Sequence, residues 1–222
     1  MGNPRIFHQI EEIMKQLLKK TPLYRYYYNY RVRKALKEEH LNNRKNRGEL
    51  MRKYLPTNGI GAELGVLNGQ FSRVLLDFCN PKELHLIDPW YFLDSHWSWA
   101  SGNDSTVDAV IIILKENKKE IEQKKMFVHI EDDLVVLERF PDEYFDWIYI
   151  DSSHHYMHTV MELEIIKRKI KPDGIICGDD WQPNPEHRHH GVYKAVNEFI
   201  NTENYSIVYA NSENLQWFIK KN

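Results

Sequence analysis

Short apolar runs alternate with amphipathic stretches along most of this chain. From residue 59 onward, apolar runs with the length of buried strands cover 60–64, 84–88, 126–130, 145–150 and 174–178. The stretches between them have helical spacing of apolar residues and cover 70–79, 105–123, 133–139 and 156–170. Regular alternation of strands and helices predicts a parallel sheet with helices on both faces.

The C-terminal part of the chain breaks this alternation. A helix predicted at 191–203 is followed by two apolar runs, Tyr205–Ala210 and Leu215–Lys220. Only the residues 211–214 separate the two runs, and a connection this short joins antiparallel strands. The whole pattern therefore predicts an α/β fold with a mostly parallel seven-stranded sheet that ends in an antiparallel hairpin.

The residues before this domain have a different character. Ile6–Lys20 carries a helical stripe of apolar residues, and Leu23–Glu39 is a second predicted helix with five tyrosines. The polar residues 41–47 are predicted to be a linker, and Glu49–Leu55 a short helix. We therefore expect a helical extension over residues 1–46 and a main domain over residues 47–222.

Charge is unevenly divided between these regions. Residues 1–55 carry fourteen Lys and Arg against five Asp and Glu, so their net charge is +9 and that of the remaining residues is −11. Such an arm can bind nucleic acid, anionic lipid or an anionic substrate, or it can pack on an acidic protein surface. We favour the last and expect a homo-oligomer formed through the N-terminal helices. Nucleic acid is disfavoured as a partner because the acidic domain offers no basic groove.

The composition indicates a soluble protein of ordinary type. The longest aliphatic run, Ala109–Leu114, is too short to span a bilayer, and the first residues lack the apolar core of a signal peptide. Cys79 and Cys177 both lie in apolar surroundings, which favours buried thiols over a disulfide. We therefore expect a cytoplasmic location.

Three carboxylates follow two of the predicted strands. Asp151 ends the run 145–150, and Asp179 and Asp180 end the run 174–178. Strands joined by a helix lie parallel, so their carboxyl ends face the same edge of the sheet. Clustered carboxylates repel each other unless a positive charge lies between them, and oxygen ligands favour Mg²⁺. The sequence predicts a magnesium site on these three residues.

A glycine-containing turn follows the first strand. Gly65 and Gly69 have the spacing Gly-x-x-x-Gly, which lets a ligand approach the backbone, although any tight turn between strand and helix can contain it. Asp88 ends the second strand, where a carboxylate can accept hydrogen bonds from ribose hydroxyls. Trp90 and Tyr91 follow it and are predicted to flank an adenine ring.

Two acids follow the third strand. Asp132 and Asp133 can contact an exocyclic amine or cap the helix that begins there. We expect Asp133 to be the cap and Asp132 to face the ligand.

The histidines offer further chemistry. His154 and His158 are four residues apart on a predicted helix and could form a transition-metal pair, but no third and fourth ligands have suitable spacing. His187, His189 and His190 lie in a loop that we expect to cover the site or to be exposed. His154 can accept a proton near neutral pH, with His155 as the alternative base.

The chain resembles the class I S-adenosylmethionine-dependent methyltransferases. More narrowly, it resembles the metal-dependent macrocin and mycinamicin sugar O-methyltransferases. The resemblance covers roughly residues 47–220. The residues that carry it are Glu63-Leu64-Gly65-Val66, Gly69, Asp88, Ile150-Asp151-Ser152-Ser153-His154, Gly174 to Trp181, Gly191-Val192, Ala195-Val196 and Phe199.

The resemblance implies a Rossmann-like fold, S-adenosylmethionine (SAM) and Mg²⁺ as cofactors, and a set of site residues. By resemblance the SAM contacts are Glu63, Gly65, Gly69, Asp88 and Asp132, with Trp90 added from its position after Asp88. Asp151, Asp179 and Asp180 are implied as metal ligands. Asp151 and His154 are the implied catalytic residues, with His154 as the base.

The resulting hypothesis is a Mg²⁺-dependent O-methyltransferase that acts on a sugar or another small molecule with a vicinal diol. Mg²⁺ bound to two neighbouring oxygens lowers the pKa of one of them, and an imidazole can then take the proton. The alternatives are a catechol-type O-methyltransferase, a relative without catalytic activity, and a nucleic-acid-binding protein that uses the basic arm.

Overall fold

A computed structural model describes residues 44–91 and 105–222 of the chain. By its internal contacts the chain divides into two compact units, Met1–Asn46 and Arg47–Asn222. The helices predicted at Ile6–Lys20 and Leu23–Glu39, and the oligomer expected from them, lie outside the described residues. Within the described part, no helix is both long and apolar enough to cross a membrane.

The strands of the second unit are close to those predicted. They are β1 (Ile60–Leu64), β2 (Glu83–Asp88), β3 (Met126–Ile130), β4 (Phe145–Ile150), β5 (Ile170–Gly178), β6 (Tyr205–Ala210) and β7 (Trp217–Lys221). The helices are α1 (44–54), α2 (Gln70–Cys79), α3 (Ser105–Glu116), α4 (Lys118–Glu122), α5 (Asp133–Glu138), α6 (Tyr156–Lys169) and α7 (His190–Thr202).

The sheet has seven strands in the order β3-β2-β1-β4-β5-β7-β6. The first five strands are parallel, and β7 runs antiparallel to both of its neighbours. The predicted Rossmann-like fold with a C-terminal antiparallel hairpin is confirmed. The strand order reverses between β1 and β4, and such a switch point opens a crevice at the carboxyl ends of the strands.

Apolar residues on the two faces of the sheet form two cores. One core packs β1, β4 and β5 against α6 and α7, with Leu163, Ile166 and Phe199 among its buried side chains. The other packs the opposite face against α2 and α3 and includes Trp147 and Phe218. Cys79 and Cys177 are free and buried in this second core, which confirms the prediction of buried thiols.

Four boundaries differ from the sequence predictions. Residues 44–47, predicted to be linker, are helical. The helix predicted at 105–123 breaks at Asn117, whose backbone angles of φ −107° and ψ 23° are not helical. Strand β5 begins at Ile170 because this buried side chain pairs with Phe145 before a bulge. Strand β7 begins at Trp217 because Leu215, with φ 59°, cannot be extended.

Candidate functional site

The register of the parallel strands brings four carboxyl ends level with one another. Leu64 at the end of β1 pairs with Ile87 on one side and Ile150 on the other. Ile150 in turn pairs with Gly178 at the end of β5. The residues that follow these strand ends carry most of the predicted site, so the fold gathers them along one edge of the sheet.

The glycine turn lies directly against the chain that leaves β4. Gly65 has a left-handed φ of 79°, and a Cβ atom at this position would lie 2.1 Å from the carbonyl oxygen of Asp151. Gly69 has φ 72° and immediately precedes α2. Only glycine can occupy position 65 without backbone strain and without a collision with Asp151. The backbone of this turn therefore lies at the switch point with no side chain over it.

Asp88 and Trp90 hold this turn from one side. Oδ2 of Asp88 accepts hydrogen bonds from the N–H groups of Val66 at 2.8 Å and Leu67 at 2.9 Å, and burial raises the pKa of its carboxyl. The indole N–H of Trp90 donates to the carbonyl of Leu67 at 2.7 Å, and Trp90 is only 1% exposed. Both side chains therefore shape the turn, and the buried Trp90 ring offers little surface to an adenine.

Glu63 lies beneath the turn, inside β1. It is 1% exposed, and its carboxyl group accepts a hydrogen bond from Oγ of Ser72 at 2.5 Å. Burial raises the pKa of Glu63 to about 8, against the opposing effects of Ser72 and Arg47. A buried carboxyl with this pKa keeps its proton near neutral pH, which avoids a second negative charge beside Asp88.

The helix cap after β3 is Asp132 and not Asp133. Asp132 is the N-cap of α5, and its Oδ1 accepts from the N–H groups of Leu134 at 3.0 Å and Val135 at 3.4 Å. Asp133 is 5% exposed and lies 2.9 Å from Nε2 of His158. The prediction that Asp133 is the cap was wrong because the acid before the helix has the extended backbone that capping requires.

A partly buried arginine, with 30% of its side chain exposed, reaches the carboxylate at the end of β5. Nη2 of Arg47 donates to Asp179 Oδ2 at 3.2 Å and to the hydroxyl of Tyr149 at 2.5 Å. Its guanidinium lies over the ring of Phe71, 4.1 Å from the centroid. Sequence analysis missed Arg47, since it lies in a polar stretch without periodicity and is one of many basic residues in that region.

The charge of Arg47 counteracts the repulsion between two acids. Burial and the neighbouring Asp179 raise the pKa of Asp151 well above its ordinary range, and Arg47 opposes this. Oδ1 of Asp179 also accepts hydrogen bonds from the side chain of Gln216 at 2.9 Å and from the N–H of Asp180 at 2.8 Å. Asp179 is therefore held on both oxygens by protein groups.

Asp180 is surrounded by imidazoles. Nδ1 of His154 contacts its Oδ2, and Nδ1 of His189 lies 2.8 Å from its Oδ1. The two imidazole rings stack on each other, with centroids 4.5 Å apart and an interplanar angle of 11°. Burial acts to raise the pKa of Asp180, but the two histidines outweigh it and lower that pKa below its ordinary value.

The predicted metal ligands do not form one group. Among the described residues, two sets of three side chains place ligand atoms within 4.8 Å of one another: His154, Asp180 and His189 form one set, and Asp133, His158 and Glu162 the other. Asp151, Asp179 and Asp180 are not such a set. A Mg²⁺ ion on those three carboxylates would require Asp179 to leave Arg47 and Gln216.

The predicted histidine pair is also separated. His154 precedes α6 with a left-handed φ of 60°, whereas His158 lies on the helix and contacts Asp133. His155 is exposed. His189 contacts Asp180, which agrees with the expectation that its loop covers the site. Sequence spacing did not indicate this particular contact, because a loop brings His189 back to the strand end.

Comparison with known proteins identifies the domain. Residues 62–181, which include the glycine turn and Asp180, match the model of a family described as a methyltransferase domain. A search of curated protein sequences finds no match to the chain.

Solved structures with the same fold include several methyltransferases. A protein from Streptococcus mutans described as a methyltransferase, solved in complex with SAH, has a TM-score of 0.55 and 10% identity, with 80% of this chain and 97% of that chain covered. A protein from Clostridium thermocellum described as an rRNA-methylase has a TM-score of 0.57 and 10% identity, covering 80% and 96%. A SAM-dependent methyltransferase from Aquifex aeolicus has a TM-score of 0.51 and 13% identity, covering 77% and 86%.

Proposed function

The chain belongs to the methyltransferase domain family, and we propose that it transfers a methyl group from SAM to a hydroxyl of a small molecule, a sugar or another vicinal diol. We choose a hydroxyl as the acceptor because His154 contacts Asp180 at the carboxyl edge of the sheet. A hydroxyl must lose a proton to become a good nucleophile, and an imidazole held by a carboxylate is suited to accept it.

SAM is expected to bind at the carboxyl ends of β1, β2 and β3. The bare backbone at Gly65 gives the cofactor room to approach, and the family membership supports this position. Because Oδ2 of Asp88 holds the turn, ribose hydroxyls would use Oδ1. Glu63 lies below the turn and acts on cofactor binding through the shape of the turn. Asp132 would have to contact the adenine while it caps α5.

The acceptor is expected on the other side of the switch point, next to Asp151 and Asp180. The acceptor oxygen attacks the methyl carbon in line with the carbon–sulfur bond. A carbon–oxygen bond forms, the carbon–sulfur bond breaks, and S-adenosylhomocysteine leaves with the bonding electron pair. His154 takes the hydroxyl proton, and Asp180 stabilises the resulting positive charge. The main contribution of the protein is to place the two reactants in this geometry.

A divalent cation is part of the proposal, with Mg²⁺ as the ion predicted from the sequence. Asp151, Asp179 and Asp180 would hold it if Asp179 turned away from Arg47. Its chemistry would be to lower the pKa of the acceptor hydroxyl. We also propose that the chain associates with itself through residues 1–46.

The test is methyl transfer from SAM that carries a deuterated methyl group, with sugars, catechols and RNA as separate acceptors. Mass spectrometry is expected to find the label on a hydroxyl of a sugar or diol. Loss of activity in EDTA, restored by Mg²⁺, would support the cation. Label on catechol alone would favour the catechol-type alternative, and label on RNA would contradict a small-molecule acceptor.

A further inference from the structure

We propose that His154, Asp180 and His189 form a binding site for a divalent transition-metal ion such as Zn²⁺ or Co²⁺. The inference rests on the proposed function for the place of the acceptor hydroxyl, but it replaces the base role of His154 and the Mg²⁺ ion with a transition-metal ion. Ion binding can be tested without methyl transfer. The three ligand atoms already lie within 4.8 Å of one another.

The geometry of the cluster favours one shared ion. Both histidines direct the same ring atom, Nδ1, at the Asp180 carboxylate, one toward each oxygen. Their rings are stacked with centroids 4.5 Å apart, so the two imidazoles lie next to each other at this carboxylate. An ion with metal–ligand distances of about 2.0–2.2 Å would need only a modest separation of these three side chains.

The backbone is shaped to make this cluster. His154 and Asp180 both have positive φ, 60° and 65°, although neither is glycine. Such conformations cost about 1–3 kcal/mol and persist where the surrounding structure enforces them, which is common at ligand sites. The three side chains are 9–13% exposed, so the site is largely shielded from water yet remains accessible.

The ligand chemistry selects the class of ion. Two imidazole nitrogens and one carboxylate suit Zn²⁺, Co²⁺ or Fe²⁺, whereas Mg²⁺ prefers oxygen ligands. Three protein ligands also leave a position open for a further ligand. A hydroxyl of the acceptor fits this position. His154 would then be a metal ligand, and the ion would be held by a different set from the three carboxylates predicted for Mg²⁺.

The experiment is a titration of the metal-free full-length protein with Co²⁺, followed by the visible absorption of the bound ion. One Co²⁺ per chain is expected at this site, displaced by Zn²⁺ but not by a similar concentration of Mg²⁺. His154→Ala and His189→Ala are each expected to weaken binding by at least about 100-fold, since loss of even an outer-shell partner costs about 10- to 100-fold. Thermal melting checks that each variant is folded.

Two histidines outside the cluster serve as matched controls. His155 is adjacent to His154 but exposed, so His155→Ala should leave Co²⁺ binding unchanged. His158 belongs to the second His-carboxylate set, and His158→Ala should also retain the ion. Loss of the ion in His158→Ala alone would place it in that second set and overturn the proposal.

Two other results would overturn it. One is displacement of Co²⁺ by Mg²⁺ at equal concentration, which requires no variant. The other is full Co²⁺ binding in both His154→Ala and His189→Ala, which would return His154 to the role of a base. Ion binding without any methyl transfer would contradict the proposed function alone. Methyl transfer in a protein that binds no Co²⁺ would contradict this inference alone.

Discussion

Asp180 and His154 meet through their side chains, and both have a left-handed backbone, with φ 65° and 60°. One follows β5 and the other follows β4, two strands that are paired neighbours in the sheet. The contact therefore joins the two segments that leave neighbouring strands at the carboxyl edge of the sheet. The contact requires a left-handed backbone at both residues, so it is a specific feature of this fold.

The left-handed conformation of Asp180 predicts a difference between two substitutions. Asn adopts this conformation more readily than Ala, because its short polar side chain bonds locally to the backbone. Asp180→Ala should therefore be less stable than Asp180→Asn by about 1 kcal/mol, although both remove the charge. Urea denaturation measures the difference, and equal stability of the two variants would mean that strain at Asp180 is not significant.

Arg47 is expected to stabilise the domain by neutralising Asp151 and Asp179. Arg47→Met leaves two mostly buried acids without their cation, which should cost about 1–3 kcal/mol after allowance for partial exposure. Arg52→Gln on the same helix is the matched control. Its pair with Glu49 is half exposed, and loss of such a pair costs at most about 1 kcal/mol.

The effect of Arg47 should also depend on pH. Acid protonates Asp151 and Asp179, so the difference in unfolding free energy between Arg47→Met and the unchanged protein should shrink as pH falls. A difference that is constant across the pH range would assign the contribution of Arg47 to its packing on Phe71 instead.

Asp88 is expected to support cofactor binding through the turn that it holds. Asp88→Ala leaves the N–H groups of Val66 and Leu67 without their acceptor, and SAM affinity should fall by roughly 1–3 kcal/mol. Asp88→Asn keeps an acceptor oxygen and should lose less. Calorimetry with SAM measures both, and unchanged affinity in Asp88→Ala would remove this residue from the site.

Glu63 should make the domain less stable as pH rises. The unfolded carboxyl titrates near 4.5, whereas burial raises the folded pKa to about 8. Between these values the folded state holds a proton that the unfolded state has lost, so the stability from this group declines as pH rises from about 4.5 to 8. Glu63→Gln removes this pH-dependent contribution to stability, while the amide oxygen of Gln can still accept a hydrogen bond from Ser72.

The melting temperature should therefore fall less between pH 5 and pH 8 in Glu63→Gln than in the unchanged protein. Glu49→Gln, an exposed substitution, is the control for a general effect of charge. Parallel melting curves for Glu63→Gln and the unchanged protein would mean that Glu63 does not titrate as its burial requires.

The sequence predicted the sheet well because its strands are short, buried and separated by strong breaks. The parallel sheet with its terminal hairpin and the placement of Gly65, Asp88 and Asp151 at one edge follow from this pattern. The side-chain contacts at the carboxyl edge of the sheet were less predictable. Arg47 and His189 reach the site from a helix and a loop whose paths no local pattern specifies. Asp179 contacts Arg47 and Gln216, whereas Asp180 contacts histidines.

The most direct measurement is the rate at which His154→Ala transfers a deuterated methyl group from SAM to a diol acceptor, compared with the unchanged protein and with His155→Ala. The account predicts a product labelled on oxygen and a turnover reduced on the order of 10²–10⁴-fold in His154→Ala, as expected when the group that activates the hydroxyl is lost. His155→Ala, altered at an exposed neighbour, should retain its rate. Label on a nitrogen or carbon atom, or a His154→Ala protein as fast as the unchanged one, would contradict activation of a hydroxyl at the His154–Asp180 contact.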